Sequence, residues 1–272
     1  MEKTISIAEN LTKAFSLCTL AYLLSLAVAL FVGHSLDGHH PIIIVFWADL
    51  TATLVPYLFS RLFGNASFYD AYWSLAPLPI ALYWMFGIAP INVITARKIL
   101  ILSLVLFWGL RLTWNWVSQW RGLKDEDWRY SELRKKYRSW FWIIDLVGIE
   151  MMPTIIVFLG CLSLYPSLSE SKNAFNILDV IALIFTAGAI VIETTADEQL
   201  KRFKKKFPRP GEIINRGFWA YSRHPNYLGE IIFWWGLYIF ALAASPAYWW
   251  TIVGPVAVTT LFSPGQYPFN GE

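Results

Sequence analysis

The sequence predicts an all-α integral membrane protein, a polytopic helical bundle of about seven or eight spans. Of its 272 residues, 56% are hydrophobic and only 15% are charged, whereas a soluble domain carries about 25% charged residues. Several apolar stretches reach the length of about 20 residues that crosses a bilayer. Their polar connections alternate between base-rich and base-poor. This composition excludes disordered and collagen-like classes, and the net charge of +3 is too small to imply nucleic acid.

Taken in order, six stretches qualify as spans: 13–33, 42–60, 72–90, 99–118, 141–165 and 175–196. No small-residue cleavage site follows the first run, so we expect a retained span and not a signal peptide. A further apolar region, 229–262, is interrupted at Ala244, Ser245 and Pro246. It predicts either one kinked span or a hairpin of two short spans.

The distribution of Lys and Arg predicts the orientation, because cytoplasmic loops carry the excess of bases. With the N-terminus inside, 18 of 21 loop bases fall on the inner face. The two largest polar segments, 119–140 and 197–228, are then both cytoplasmic. Bacterial plasma membrane and endoplasmic reticulum fit this bias equally, and the sequence leaves the oligomeric state open.

No repeat of fixed period occurs, so residues 1–272 are expected to form a single membrane domain. The one metal-like grouping is HSLDGHH, with His34, Asp37, His39 and His40. Neighbouring His39 and His40 point apart in most backbones, and no second group of ligands accompanies them, so we expect a solvated loop and no metal site. Cys18 and Cys161 lie in apolar runs and indicate packing.

Ionisable residues inside a membrane are costly and often functional, although structural hydrogen bonds between helices explain some of them. Arg111 in WGLRLTW either snorkels to the interface or faces a polar cavity. The acids in or beside predicted spans are Asp49, Asp70, Asp145, Glu150, Glu193 and Asp197. Asp70 begins the third predicted span in YDAYWS.

The segment 197–206, DEQLKRFKKK, carries five bases. Such a basic helix binds either anionic lipid headgroups or the phosphates of a nucleotide. The following PGEIINRGFWAYSRHPNYLGE adds Asn, His, Tyr and Glu, which lipid attraction alone does not require. Arg suits phosphates, Asn and Glu suit hydroxyls or an amide, and aromatic rings suit a planar base. This combination favours a nucleotide-like ligand.

The motifs SRHPNYLGE, ETTADEQLKRFK, YDAYWS, WGLRLTW and EDWRYSELRKK together resemble the membrane family related to steroid 5-alpha-reductases, catalogued as domain of unknown function 1295. Its superfamily includes sterol C14-reductases and isoprenylcysteine carboxyl methyltransferases. The resemblance places a reductase-like region at 67–262, after N-terminal spans at 1–66. It implies NADPH bound at the cytoplasmic C-terminal half and a hydride passed to a carbon–carbon double bond of a lipophilic enone, steroid-like or prenyl.

By matching motif positions, the resemblance also implies which residues contact NADPH: Asp197, Lys201, Lys204, Asn215, Arg216, Asn226, Tyr227 and Glu230, with Arg111, Tyr221, Arg223 and His224 as further members. A Tyr or a protonated acid must hydrogen-bond the enone oxygen as charge develops on it. Asp70, with Tyr72 beside it, is the candidate for that end of the substrate.

Two alternatives remain from the sequence. One is a membrane methyltransferase that uses S-adenosylmethionine and shares the R-H-P-x-Y-x-G pattern. The eight bases of 197–223 favour NADPH over that cofactor. The other is a lipid-binding member without turnover, because residues 263–272, SPGQYPFNGE, replace the charged tail usual in the family.

Overall fold

The computed structural model describes residues 2–88, 94–206 and 212–263, with side chains from Asn10 onward. The described residues are 82% helical and contain no β-strand. This confirms the all-α fold class. The predicted atypical tail, 263–272, lies outside the described residues except for Ser263. Two compact units divide the chain: unit 1 covers 1–80 and 109–158, and unit 2 covers 81–108 and 159–272.

Unit 1 contains the N-terminal helices, and α5 and α8 run across its boundaries with unit 2. Its helices are α1 (Glu2–Ser35), α2 (Pro41–Phe63), α3 (Tyr72–Leu75), most of α4 (Pro77–Leu82), the end of α5 (Ala96–Val117), α6 (Trp128–Tyr137), α7 (Phe141–Ile143) and the start of α8 (Met152–Cys161). Short 3₁₀ turns occupy Ala66–Phe68 and Arg138–Trp140, and a π-helix occupies Ile144–Met151.

Unit 2 contains the C-terminal helices. They are α9 (Leu164–Leu168), α10 (Ile177–Lys206), α11 (Pro225–Ala244) and α12 (Val253–Phe262). A π-helical turn occupies Tyr83–Gly87, and 3₁₀ segments occupy Gly217–Ala220 and Pro246–Ile252.

The bounds of α2 follow from its capping residues. The His40 side chain accepts a hydrogen bond from the Ile42 backbone N–H, and Pro41 occupies the first turn, where its missing N–H costs nothing. Gly64 ends the helix in the left-handed conformation, with φ of 65°. These end signals fix a helix of 23 residues, which is long enough to cross a bilayer.

Six helical stretches of the described chain are long and apolar enough to cross a membrane: Asn10–Ser35, Pro41–Phe63, Ala96–Val117, Trp128–Cys161, Ile177–Lys206 and Pro225–Ala244. The predicted span 72–90 differs, because α3, α4 and a π-helical turn replace one continuous helix there. Pro77 and Pro79 interrupt the helical hydrogen bonds. The apolar region 229–262 is likewise broken, since α11 ends before Pro246 and α12 has only ten residues.

A buried ion pair holds the beginning of α10 in unit 2. The Arg97 guanidinium donates from Nε and Nη2 to the two Asp179 carboxylate oxygens at 2.6 and 2.7 Å. It also donates to the backbone oxygens of Asn173 and Ala174 at 2.8 and 3.0 Å. Asp179 accepts from the Asn176 backbone N–H at 2.8 Å, so the carboxylate links the guanidinium to the first turn of the helix.

Candidate functional site

The close packing of α10 against α11 positions the polar residues of unit 2. A Cβ atom on Gly229 would lie 2.7 Å from the Glu193 Cβ and 3.0 Å from the Ala189 carbonyl oxygen. Only glycine allows this approach of the two helices. Beyond this glycine, the Asn226 side-chain nitrogen donates to an Asp197 carboxylate oxygen at 3.3 Å. The structure therefore brings together two of the residues expected to contact a cofactor.

The connection from α10 to α11 folds back onto α10. The Phe218 backbone N–H donates to the Gln199 side-chain oxygen at 3.1 Å, and the Trp219 indole N–H donates to the Ala196 carbonyl at 3.0 Å. Gly217 has φ of 60° and lies against the Gln199 amide, so a side chain at this position would clash. These contacts hold the segment that carries the remaining predicted residues.

Most of those predicted residues are exposed. Exposed side chains include Lys201, Lys204, Asn215, Arg216, Tyr221, Arg223 and His224. The His224 ring stacks on the Tyr227 ring, with centroids 4.9 Å apart and an interplanar angle of 18°. Several bases and one stacked aromatic pair are therefore accessible on unit 2, which matches the chemistry of a dinucleotide phosphate.

Glu230 has a different environment. Its side chain is buried, at 3% exposure. One carboxylate oxygen accepts from the Trp108 indole N–H at 2.9 Å, and the other accepts from the Trp234 indole N–H at 2.8 Å. Contact between Glu230 and a cofactor stays a prediction, and its described contacts are with the core of unit 2.

The Asn226 side chain, in unit 2, carries a polar atom to which a ligand could hydrogen-bond. Its side-chain oxygen is buried and has no hydrogen-bond partner among the described residues. Leaving a buried amide oxygen unpaired costs about 1–3 kcal/mol, so an added hydrogen-bond donor would be favourable there. A carboxamide N–H or a ribose hydroxyl would satisfy it.

Arg111 belongs to unit 1, in the second half of α5, and its side chain is half-buried. Snorkelling to the interface, facing a polar cavity and contact with NADPH stay predictions for this residue.

In unit 1, the turn before α3 carries Asp70 and is attached to the segment around α6. The Asn65 side chain donates to the backbone oxygens of Leu123 and Asp125 at 2.9 and 3.1 Å. The Tyr130 hydroxyl donates to an Asp70 carboxylate oxygen at 2.8 Å. Burial raises the pKa of Asp70 to about 6, although hydrogen bonds from Tyr130 and Ser67 oppose the shift.

Tyr72 lies in a buried hydroxyl-rich cluster on the other side of that turn. The Tyr69 hydroxyl is 2.8 Å from the Thr154 hydroxyl, which in turn is 3.1 Å from the Thr53 hydroxyl. The Tyr72 ring centroid is 5.7 Å from that of Tyr69. Burial raises the pKa of Tyr72 and of Tyr69 well above the usual tyrosine value. Both phenols therefore stay protonated at neutral pH and can donate.

Two buried acids adjoin these hydroxyls. Asp49 lies on α2, one turn before Thr53, and Glu150 accepts from the Ser60 hydroxyl at 2.9 Å. One carboxylate oxygen of each, Asp49 Oδ2 and Glu150 Oε2, is buried and has no hydrogen-bond partner among the described residues. We call Asp49, Thr53, Ser60, Tyr69, Tyr72, Glu150 and Thr154 the polar cluster of unit 1. Its composition is that of an acid–base site in an apolar setting.

The described residues include no group of three His, Cys, Asp or Glu side chains that could hold a metal ion.

Comparison with known proteins identifies the family. A family model described as "Protein of unknown function (DUF1295)" matches residues 56–264. The chain belongs to the DUF1295 family. This DUF1295 member is also similar to an uncharacterized protein of Schizosaccharomyces pombe, at 27% identity, covering 73% of this chain and 64% of that relative. The chain thus spans less than two thirds of the relative's length, and no solved structure matches it.

Of the polar cluster of unit 1, the sequence analysis proposed a role for Tyr72 and missed Thr53, Ser60, Tyr69 and Thr154; the role of Tyr72 stays a prediction. Thr53 comes from α2, Tyr69 from the turn before α3 and Thr154 from α8, and Tyr69 and Thr154 are 85 residues apart. Each is an ordinary residue in its own segment. The one available signal was the pair of acids in predicted spans, Asp49 and Glu150, since a buried acid requires polar neighbours.

Proposed function

We propose that this DUF1295 member catalyses the NADPH-dependent reduction of a carbon–carbon double bond in a lipophilic enone, steroid-like or prenyl. The observation that supports it most is the polar cluster of unit 1. It combines protonated phenols and buried acids in a protein whose described residues include six helical stretches of membrane-crossing length. A lipophilic substrate that needs a hydrogen-bond donor at its oxygen fits that environment.

The residues of unit 2 fit NADPH by their donor chemistry. Lys201, Lys204, Arg216 and Arg223 are exposed cations suited to phosphates, including the extra phosphate on the adenosine ribose. The unpartnered Asn226 oxygen suits an N–H or hydroxyl donor. When bound, NADPH supplies the hydride for the double bond.

The residues of unit 1 would act on the substrate. The Tyr72 hydroxyl donates a hydrogen bond to the enone oxygen and stabilises the negative charge that develops on it. Burial of Tyr72 and Tyr69 excludes water and strengthens that hydrogen bond. Asp70, which accepts a hydrogen bond from Tyr130, is the second predicted member and would supply the proton that the other carbon of the double bond takes up after hydride addition.

Cofactor binding is the first test. NADPH is titrated into protein purified in lipid nanodiscs, with fluorescence detection and with NADH and S-adenosylmethionine as competitors. We expect micromolar NADPH binding that is lost in an Asn226→Ala, Arg216→Ala double variant and kept in a Lys205→Ala control. Lys205 is an exposed base of α10 outside the proposed set.

Turnover is the second test. Consumption of NADPH is followed by absorbance with a panel of enone lipids, in wild type, Tyr72→Phe and a Tyr57→Phe control. Tyr57 donates to the Trp142 carbonyl outside the cluster. Loss of turnover in Tyr72→Phe alone is expected, about 10²–10³-fold for a lost oxyanion donor. Binding of S-adenosylmethionine in place of NADPH would contradict the proposal and favour the methyltransferase alternative, while lipid binding without either cofactor would indicate an inactive member.

A further inference from the structure

The fourth apolar helical stretch, Trp128–Cys161, is too long to lie wholly within a bilayer. Its 34 residues would rise about 50 Å as a helix, whereas the hydrocarbon core is about 30 Å thick. The helical path breaks at Arg138–Trp140, and the stretch from Phe141 to Cys161 alone matches the core. Residues 128–140 therefore extend past the hydrocarbon core. We call residues 128–142 the interfacial segment.

Two of the five bases of the interfacial segment are neutralised within unit 1. Arg129 pairs with Asp127 at 2.9 Å, and Arg134 pairs with Glu126 at 2.7 Å. The Arg134 guanidinium also lies 4.1 Å from the centroid of the Phe141 ring. These two arginines therefore attach α6 to other residues of unit 1.

The other three bases face outward. Lys135, Lys136 and Arg138 are exposed and make no ion pair among the described residues. The Lys136 ammonium is 5.3 Å from the Tyr137 ring centroid, a contact that leaves its charge uncompensated. One exposed acid, Glu132, shares this side of α6. The outward face therefore keeps a net positive charge.

The backbone at Arg138 adds a second observation. Its φ of 42° and ψ of −108° belong to a region that glycine prefers, so an arginine there is strained. This turn ends α6 and is followed by Trp140 and Trp142, whose side chains are 65% and 47% exposed. Exposed tryptophans next to an apolar span are typical of the bilayer interface. The three bases and the two indoles thus lie within residues 135–142.

We propose that Lys135, Lys136 and Arg138 bind the phosphodiester headgroups of anionic phospholipids in the adjoining leaflet. Clustered bases just outside a span attract anionic lipid, and the attraction decays within about 8–10 Å of the surface. These bases lie three to six positions before Phe141, the first residue of the membrane-crossing stretch. The basic end of α10 differs, because it contains no Trp, and its Arg202 pairs with Glu198 at 2.7 Å.

The test is native mass spectrometry of the detergent-purified full chain in mixed micelles of phosphatidylglycerol and phosphatidylcholine with identical acyl chains. Wild type is expected to retain phosphatidylglycerol preferentially. In a Lys135→Gln, Lys136→Gln, Arg138→Gln variant, the ratio of bound phosphatidylglycerol to bound phosphatidylcholine should fall about tenfold. A charge-matched Arg202→Gln, Lys205→Gln, Lys206→Gln control should keep it, as should a variant that exchanges Lys for Arg and Arg for Lys at the three positions.

An unchanged preference in the Gln variant, or an equal loss in the α10 control, would overturn the proposal. Glycerol phosphate at the concentration of the lipid is added in a further arm. Its displacement of phosphatidylglycerol would also overturn the proposal, because the site would then be a free-phosphate site.

Discussion

Replacing Asp179 with alanine would leave the Arg97 guanidinium buried without its counter-ion. The two side chains are 0% and 3% exposed, and two charge-assisted hydrogen bonds of 2.6 and 2.7 Å would be lost. Breaking a buried pair by removing one partner costs about 3–5 kcal/mol. For a chain of this size, the loss corresponds to a fall in melting temperature of about 6–20 °C. Thermal unfolding followed by the fluorescence of the 15 tryptophans measures it.

Two matched variants separate the pair from general damage. Arg97→Met, Asp179→Leu removes both charges and should cost less than Asp179→Ala, because no buried charge remains unpaired. Glu198→Ala breaks the exposed pair with Arg202 and should change stability by less than about 1 kcal/mol. An Asp179→Ala variant that melts within about 1 °C of wild type, or a double variant at least as unstable as Asp179→Ala, would show that the ion pair does not stabilise the fold.

Three further predictions concern both units. Burial raises the pKa of Asp70 to about 6, so the free energy of unfolding should fall by about 2 kcal/mol as pH rises from 4 to 6. In pH-dependent unfolding, Asp70→Asn should flatten that slope. An unchanged slope would exclude Asp70 as its source. Gly229→Leu should lower the free energy of unfolding by about 1–3 kcal/mol through overpacking. Gly188→Ala should not, because nothing lies within 4 Å of the added carbon. Equal melting temperatures for the two variants would contradict the close packing of α10 against α11. Glu230→Gln replaces one of the two carboxylate oxygens that accept from the indole N–H groups of Trp108 and Trp234. The free energy of unfolding, measured by chemical denaturation, should fall by about 1–3 kcal/mol. A value equal to that of wild type would contradict those two hydrogen bonds.

The fold class could be predicted from the sequence because membrane helices depend on apolar length, which is a local property. Helix ends were harder to predict. The sixth predicted span, 175–196, continues in the structure as one helix to Lys206. An apolar run stops at the first charges, whereas backbone hydrogen bonds continue through Lys and Glu, which are good helix formers.

The candidate site could be predicted only in part, because its residues meet through packing. Asp197 and Asn226 were predicted from motif positions, and the structure places them 3.3 Å apart. Glu230 belongs to the same motif, yet both of its carboxylate oxygens accept indole hydrogen bonds. Nothing in a single sequence shows that Trp108, 122 residues away, supplies one of those donors.

The π-helix at Ile144–Met151 determines which side of its helix the buried acids occupy. Asp145 and Glu150 are five residues apart, so in an α-helix their side chains would point about 140° from each other. Bonding from each residue to the fifth along widens the turn and brings the two acids toward a common side. A change that restored α-helical winding without altering the five-residue separation of the two acids would point them about 140° apart while leaving every charged residue in place. The angular placement of acids in this segment is therefore a property of backbone winding, which composition and charge count do not record.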